Sequence, residues 1–82
     1  QYHHKKLKGD YEIVTLSGSI SIFNDEPHIH LHIALGDEDF KITGGHLDHG
    51  IVSLTCEFMI QVFDAEIHRK YDEETGLNLL DF

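Results

Sequence analysis

Apolar and polar residues alternate along the first half of the chain, and this period of two is the feature that most restricts the fold. In residues 11–23, YEIVTLSGSISIF, the apolar side chains point to one side of an extended chain, and the serines and threonine point to the other. This alternation is typical of a half-buried β-strand, whereas an amphipathic helix repeats every three or four residues. Gly18 interrupts the strand, which indicates a bulge or a close approach to another backbone segment.

Several further segments carry strand patterns separated by turn residues, beginning with the turn NDEP at residues 24–27. The connections are of hairpin length, which favours antiparallel pairing, and no segment shows helical periodicity or an internal repeat. The predicted strands are residues 11–23, 28–35, about 40–47, 51–63 and 64–71, with a last apolar segment at 77–82. The residues therefore predict a β-rich chain of about five strands.

The small size of the chain predicts association with other subunits. Its 82 residues allow one domain, and a domain of this size buries only a modest fraction of its surface. The apolar fraction of 40% is ordinary for a globular chain, and a single cysteine permits no internal disulfide. We therefore expect a single domain, residues 1–82, that gains further burial as a homo-oligomer.

The lone cysteine and the hydropathy of the chain bear on its location. Cys56 lies in an apolar run, where a single thiol behaves as a small hydrophobic side chain of a protein in a reducing compartment. No stretch reaches the roughly 20 apolar residues of a membrane span, and the first ten residues lack the apolar core of a signal peptide. These features predict a soluble, cytoplasmic protein without membrane contacts.

The charge of the chain argues against direct contact with nucleic acid. Fifteen acidic residues against six basic ones give a formal charge of −9, which opposes binding to a polyanion. Three lysines, Lys5, Lys6 and Lys8, lie together near the N-terminus, where a solvated segment is the simpler interpretation. Arg69 and Lys70 lie far downstream. Direct DNA binding by this domain is therefore not expected.

Five of the eight histidines fall within residues 26–50, and three of these alternate along the second predicted strand. Alternate residues share one face of a strand, so His30 and His32 can converge on one small ion, with His28 beside the turn. A five-residue loop at residues 36–40 would bring His46 directly opposite His30. A four-residue loop would instead turn His46 to the other face.

Three neutral imidazoles with an open fourth position would suit a zinc ion, with nickel, copper or iron as alternatives. In the predicted register Gly44 lies opposite His32 and makes room beside it. Such a metal acidifies a bound water or polarises a carbonyl group. Glu57, on the polar face of the fourth predicted strand, is a candidate for a catalytic proton carrier, or else an ordinary exposed strand residue. The alternative for the histidines is a polar face packed against a neighbouring subunit.

Four segments carry a resemblance to a known family: YEIVTLSGSI, PHIHLHIALGDEDFKITGGHL, VSLTCEFMIQVF and YDEETGL. Together they resemble the plants-and-prokaryotes-conserved domain, abbreviated PPC, over nearly the whole chain from Tyr11 onward. The resemblance implies an α+β fold, a mainly antiparallel sheet with flanking helices, similar to that of acetolactate decarboxylase, a metal-dependent enzyme with histidine ligands. It also assigns His30, His32 and His46 to the histidine positions of the family motifs.

The resemblance has further implications for assembly and function. Stand-alone prokaryotic members are small, trimeric and largely without assigned function, which implies a homotrimer for this chain. Family domains usually begin well upstream, so residues 1–82 resemble a domain without its N-terminal part, the part expected to supply the helices. Plant members are nuclear, DNA-associated and carry AT-hooks, but this chain has no Arg-Gly-Arg core.

Three functions follow from these observations. The first is a trimeric domain with a zinc site that performs metal-dependent chemistry on a small-molecule ligand, although the sequence does not decide whether the chain is an enzyme. The second is a regulatory module without catalysis, which is either DNA-associated or recruits partner proteins through its sheet surface. The third is direct DNA binding, which the charge disfavours.

Overall fold

The alternating segments of the N-terminal half lie at the centre of a five-stranded sheet in the computed structural model, which describes residues 4–82. The strands are β1 (Glu12–Phe23), β2 (Glu26–Gly36), β3 (Ile42–His46), β4 (His68–Asp72) and β5 (Leu77–Asp81). Their order across the sheet is β3-β2-β1-β4-β5. The three strands predicted at residues 11–23, 28–35 and about 40–47 correspond to β1, β2 and β3.

A tight two-residue turn joins β1 to β2 and sets their register. Asn24 and Asp25 have φ angles of 51° and 63°, as in a type I′ hairpin turn, and both residue types tolerate this left-handed conformation. Directly paired residues have their side chains on the same face of the sheet. One face, which we call the histidine face, therefore carries Ser17, Ser19 and Ser21 of β1 opposite His32, His30 and His28 of β2. The other face is apolar.

The connection between β2 and β3 is shorter than predicted. A backbone hydrogen bond of 3.0 Å from Asp37 N to Lys41 O extends the pairing, so the loop comprises residues 38–40. The Asp37 carboxylate accepts hydrogen bonds from the backbone N–H groups of Asp39 and Lys41, and Phe40 has a φ of 63°, as expected for the left-handed residue of a three-residue hairpin loop. The predicted register is therefore wrong by two residues, but this even shift keeps His46 on the predicted face.

The C-terminal hairpin, β4 and β5, joins the sheet beside β1. Ile22 pairs with His68, and the N–H of Ile22 donates a 2.8 Å hydrogen bond to the carbonyl oxygen of Ile67. This pairing is parallel, whereas the other strand pairs are antiparallel, so the sheet is mixed. A parallel neighbour requires a long connection, which residues 47–67 provide.

The long strand predicted at residues 51–63 is absent, which corrects that prediction. These residues belong to the irregular connection 47–67, and all their side chains except that of Cys56 are exposed. Leu54 and Met59, for example, are 91% and 99% exposed. Alternation specifies which residues would share a face, but a strand also needs a hydrogen-bonded partner. Within residues 4–82 no strand pairs with this segment.

The expected α+β fold is also wrong, because residues 4–82 contain no helix and form a mainly β fold. The helices were implied by the family resemblance, and no segment of the chain has apolar residues at the spacing of an amphipathic helix. It follows that the part of the chain described by the structure has no helix long and apolar enough to cross a membrane.

The apolar face of the sheet is largely uncovered. No hydrophobic side chain of residues 4–82 is buried, and Ile20 and Ile29, which pair across β1 and β2, are each 62% exposed. The one buried residue in this range is Ser21, which is 4% exposed and lies on the histidine face. The single sheet therefore positions a polar face well but leaves its apolar face without a packing partner.

Gly18 confirms the close backbone approach predicted from its position in β1. A Cβ atom at this residue would overlap the backbone carbonyl oxygen of His30, closer than van der Waals contact permits. By contrast, a Cβ at Gly45 would have no atom within 4 Å. Gly18 therefore allows β1 to lie against the segment of β2 that carries His30.

Candidate metal centre

Three histidines from two strands come together on the histidine face. His30 and His32 alternate on β2, and His46 ends β3 directly opposite His32. The ring centroids are 4.9 Å apart for His30 and His32, 5.1 Å for His30 and His46, and 4.4 Å for His32 and His46. The sequence predicted that these three side chains would converge, and they do, although His46 faces His32 rather than His30. We refer to them as the histidine triad.

The triad has the spacing needed to hold a cation. Each histidine offers one ring nitrogen, and these three atoms lie within 4.8 Å of one another. In a tetrahedral site with metal–nitrogen distances of about 2.0–2.1 Å, ligand nitrogens are about 3.4 Å apart. Small side-chain rotations, which move the nitrogens by roughly an ångström, would therefore complete such a site without a change in the backbone. Imidazole nitrogen is also a ligand that zinc prefers.

The protonation state of His30 is compatible with metal binding. Its partial burial, the positive charge of Arg69 and the neighbouring imidazoles of His32, His46 and His28 lower the pKa of His30 below its ordinary value of 6.5. His30 is therefore neutral at physiological pH, and the neutral imidazole is the form that ligates a metal.

The rows of paired residues around the triad leave it open on one side. Ser17 and Ser19 of β1 are the direct partners of His32 and His30, so hydroxyl groups flank the imidazoles on the β1 side. Toward the β2–β3 loop the next pair on this face is Ala34 and Gly44, which carry only a methyl group and a hydrogen. The sequence predicted that Gly44 would lie opposite His32, but the space it provides is beside Ala34. The side chains on this side of the triad are therefore smaller than those on the β1 side.

The other candidates are not part of the triad. Glu57 is exposed and belongs to the irregular connection 47–67, not to the face of a strand, and the ligand cluster does not include it. Its role as a proton carrier stays a prediction without a contact to support it. The ring centroids of His28 and Phe23 are 6.1 Å apart. Nε2 of His68 lies 3.4 Å from Oε2 of Glu66. His49 is exposed in the same irregular connection.

Sequence reasoning did not find Arg69. Its Nε donates a hydrogen bond of 3.1 Å to Ser21 Oγ, and its Nη1 donates one of 2.7 Å to the carbonyl oxygen of Asn78. These bonds bring the guanidinium onto the histidine face, where its charge acts on His30. The sequence around Arg69 does not indicate that its side chain reaches the histidine face, because this position depends on the parallel pairing of β4 with β1.

The sequence model of the Plants and Prokaryotes Conserved (PCC) domain matches residues 1–64. A search of curated proteins finds no match.

Two crystal structures of putative DNA-binding proteins are similar to the chain. The protein from Bacteroides thetaiotaomicron VPI-5482 is 38% identical, with a TM-score of 0.82 over 88% of this chain and 52% of that one. The protein from Ralstonia eutropha JMP134 is 28% identical, with a TM-score of 0.72 over 89% of this chain and 51% of that one. The chain thus spans about half the length of each.

Proposed function

This chain belongs to the Plants and Prokaryotes Conserved (PCC) domain family, and we propose that it is a metal-binding domain of that family. The histidine triad, His30, His32 and His46, holds one divalent cation. The single observation that carries this proposal is that three ring nitrogens from β2 and β3 lie within 4.8 Å of one another. The neutral state of His30, the form of imidazole that ligates a metal, supports it further.

Zinc is the cation that fits the donor set best. Three imidazoles with an open position are typical of catalytic zinc sites, while oxygen-rich sites favour magnesium or calcium. A zinc ion at such a position supplies a Lewis acid and an acidified water. The residues of this chain would hold the ion on one face of the sheet, with only the small residues Ala34 and Gly44 on the side toward the β2–β3 loop. Metal-dependent small-molecule chemistry is the extension of this proposal.

The domain is a homotrimer in this proposal. The support is the uncovered apolar surface, since a face with Ile20 and Ile29 each 62% exposed needs a packing partner. A small chain can bury such a face against identical subunits.

Cys56, which is half-buried and free, supports a reducing cytoplasmic location.

The proposal is tested by metal analysis of protein purified without a histidine tag. Mass spectrometry under native conditions and elemental analysis should give one zinc ion per chain, and X-ray absorption should give nitrogen ligation at about 2.0–2.1 Å. If the protein binds no stoichiometric divalent metal after incubation with zinc, the proposal is wrong and the triad is only part of a polar face.

A regulatory module without catalysis is the second candidate. The observation that favours it is that the two crystal structures described above are of putative DNA-binding proteins. The charge of −9 argues that any association with DNA runs through partner proteins. Measuring binding to duplex DNA with and without cell-derived partner proteins distinguishes direct binding from binding through a partner. Metal analysis distinguishes this candidate from the first.

A further inference from the structure

Arg69 carries a positive charge on the histidine face that the proposed function does not use. Its Nε donates to Ser21 Oγ, and Ser21 is the direct partner of His28. Because directly paired residues have side chains on the same face, the guanidinium lies on the same side of the sheet as the triad. Its hydrogen bond to Asn78 O fixes it from the opposite side.

The strand register brings this guanidinium next to His30. Ser19, two residues from Ser21 on the same face, is the direct partner of His30, so Ser21 and His30 are diagonal neighbours. Diagonal neighbours in an antiparallel pair are about 7–8 Å apart, a separation that a long side chain spans. The charge of Arg69 accordingly contributes to lowering the pKa of His30.

The two hydrogen bonds of Arg69 both go to neutral acceptors. They use two of the five N–H groups of a guanidinium. The chain has 15 acidic residues, yet no ion pair within the described range 4–82 involves Arg69. Its side chain is half-buried, and a charge withdrawn from water is stabilised by an anionic partner. In an acidic chain, a fixed arginine without a carboxylate partner marks a local site for an anion from outside.

We propose that Arg69 binds the oxyanion group, a carboxylate or a phosphate, of a small ligand that also contacts the cation held by the histidine triad. The inference rests on the proposed function for the cation, but the contact with Arg69 is a separate interaction. A guanidinium presents parallel N–H groups that match two oxygens of a carboxylate or phosphate. Such a ligand would lie over the pair Ser19 and His30, which separates Ser21, the partner of Arg69, from the rest of the triad.

The test compares binding of glycolate, inorganic phosphate and the neutral glycolamide. Each is titrated into cobalt-loaded protein, where the visible spectrum reports contact with the metal, and into metal-free protein by calorimetry. Glycolate or phosphate should bind at least about tenfold more tightly than glycolamide, and Arg69→Gln should lose about tenfold or more of that affinity in both forms of the protein. The preferred oxyanion then identifies the ligand as a carboxylate or a phosphate.

The matched control is Lys70→Gln, which removes the same charge from the neighbouring residue of β4, whose side chain points to the other face. It should bind both oxyanions as the wild type does. The metal content of the wild type and of each variant is measured first. Absence of the cation from the wild type, which would overturn the proposed function, is thereby distinguished from loss of oxyanion binding.

Arg69→Lys is a second variant for the case in which Arg69→Gln does not fold, because Arg69 also links the C-terminal hairpin to β1. This variant keeps the charge but not the paired N–H groups, and it should bind oxyanions severalfold more weakly than the wild type. If Arg69→Gln loses the β-sheet circular dichroism signal, Arg69→Lys carries the comparison. Equal oxyanion affinity of the folded variant and the wild type, or no oxyanion binding by the wild type, overturns the inference.

Discussion

His32 and His46 lie directly opposite each other in β2 and β3, with ring centroids 4.4 Å apart. This contact depends on the parity of the register, because successive side chains in a strand point to opposite faces. A slip of one residue would move His46 to the apolar face and leave His30 and His32 without it. Measurements at the triad therefore also report on the pairing of these two strands.

Replacing one member of the triad should remove the cation and preserve the sheet. His30→Ala and His46→Ala each leave two ligands, so we expect stoichiometric zinc to be lost and the affinity to fall by at least about a hundredfold. Neither side chain lies on the apolar face, so circular dichroism should show an unchanged β-sheet. Elemental analysis after dialysis gives the readout.

His49→Ala is the matched control for these substitutions. His49 is exposed in the irregular connection 47–67 and lies outside the triad, so its replacement should leave the metal content at one ion per chain. Full metal retention by His30→Ala and His46→Ala would show that the ion is bound elsewhere.

Zinc affinity should decrease as the solution is acidified. A proton competes with the metal for each imidazole, so affinity falls through the histidine range, by up to about tenfold per pH unit for each ring that titrates. The pKa of His30 is lowered from 6.5, so His30 stays neutral, and able to ligate a metal, to lower pH than an ordinary histidine. Competition titrations with a chromophoric chelator between about pH 5 and 8 measure this. An affinity independent of pH would exclude histidine ligands.

Gly18→Ala should destabilise the sheet. The added Cβ would collide with the backbone oxygen of His30, and relieving such a clash typically costs about 1–3 kcal/mol. Gly45→Ala is the control, because a Cβ there meets nothing within 4 Å. Urea denaturation should give a lower free energy of unfolding for Gly18→Ala, with weaker zinc binding because His30 is displaced. Equal stability of the two variants would contradict the close approach of β1 and β2.

The chain should sediment at three times its mass of 9.4 kDa at micromolar concentration. The physical reason is the apolar surface that the sheet leaves exposed, which association would bury. Sedimentation equilibrium is the direct measurement, and a monomer at that concentration would rule out the trimer.

This domain alone should not bind duplex DNA tightly. A net charge of −9 leaves few cations to neutralise phosphates, and partial protonation of histidines near pH 6 changes this only modestly. Fluorescence anisotropy at several salt concentrations gives both the affinity and the number of phosphate contacts. Submicromolar affinity at physiological salt would contradict the prediction.

The sequence predicted the part of the site that depends on local pattern. Period-two alternation puts His30 and His32 on one face of β2, and a short loop brings β3 back alongside. The exact partner of His46 was missed because Asp37 and Lys41 extend the pairing and tighten the loop by two residues. That difference depends on side-chain hydrogen bonds and on one left-handed residue, Phe40, which composition does not reveal.

Long-range pairing could not be predicted in the same way. The alternation of residues 51–63 is as regular as that of β1, but it forms no strand, because a partner strand is a property of the tertiary structure. The same limit applies to Arg69, which reaches the histidine face only because β4 lies parallel to β1. The helices implied by the family resemblance are absent from residues 4–82, which form only strands and irregular connections.

The hairpin of β4 and β5 is joined to β1 through one residue pair, Ile22 and His68, and through the hydrogen bond of Arg69 to Ser21. Segments with few links to their neighbours open locally at a lower free-energy cost than that of global unfolding. Opening of this hairpin would withdraw Arg69 while the triad on β2 and β3 stays assembled. The residence time of an anionic ligand would then be limited by the lifetime of the closed hairpin, and amide hydrogen exchange in β4 and β5 would slow when the ligand is bound.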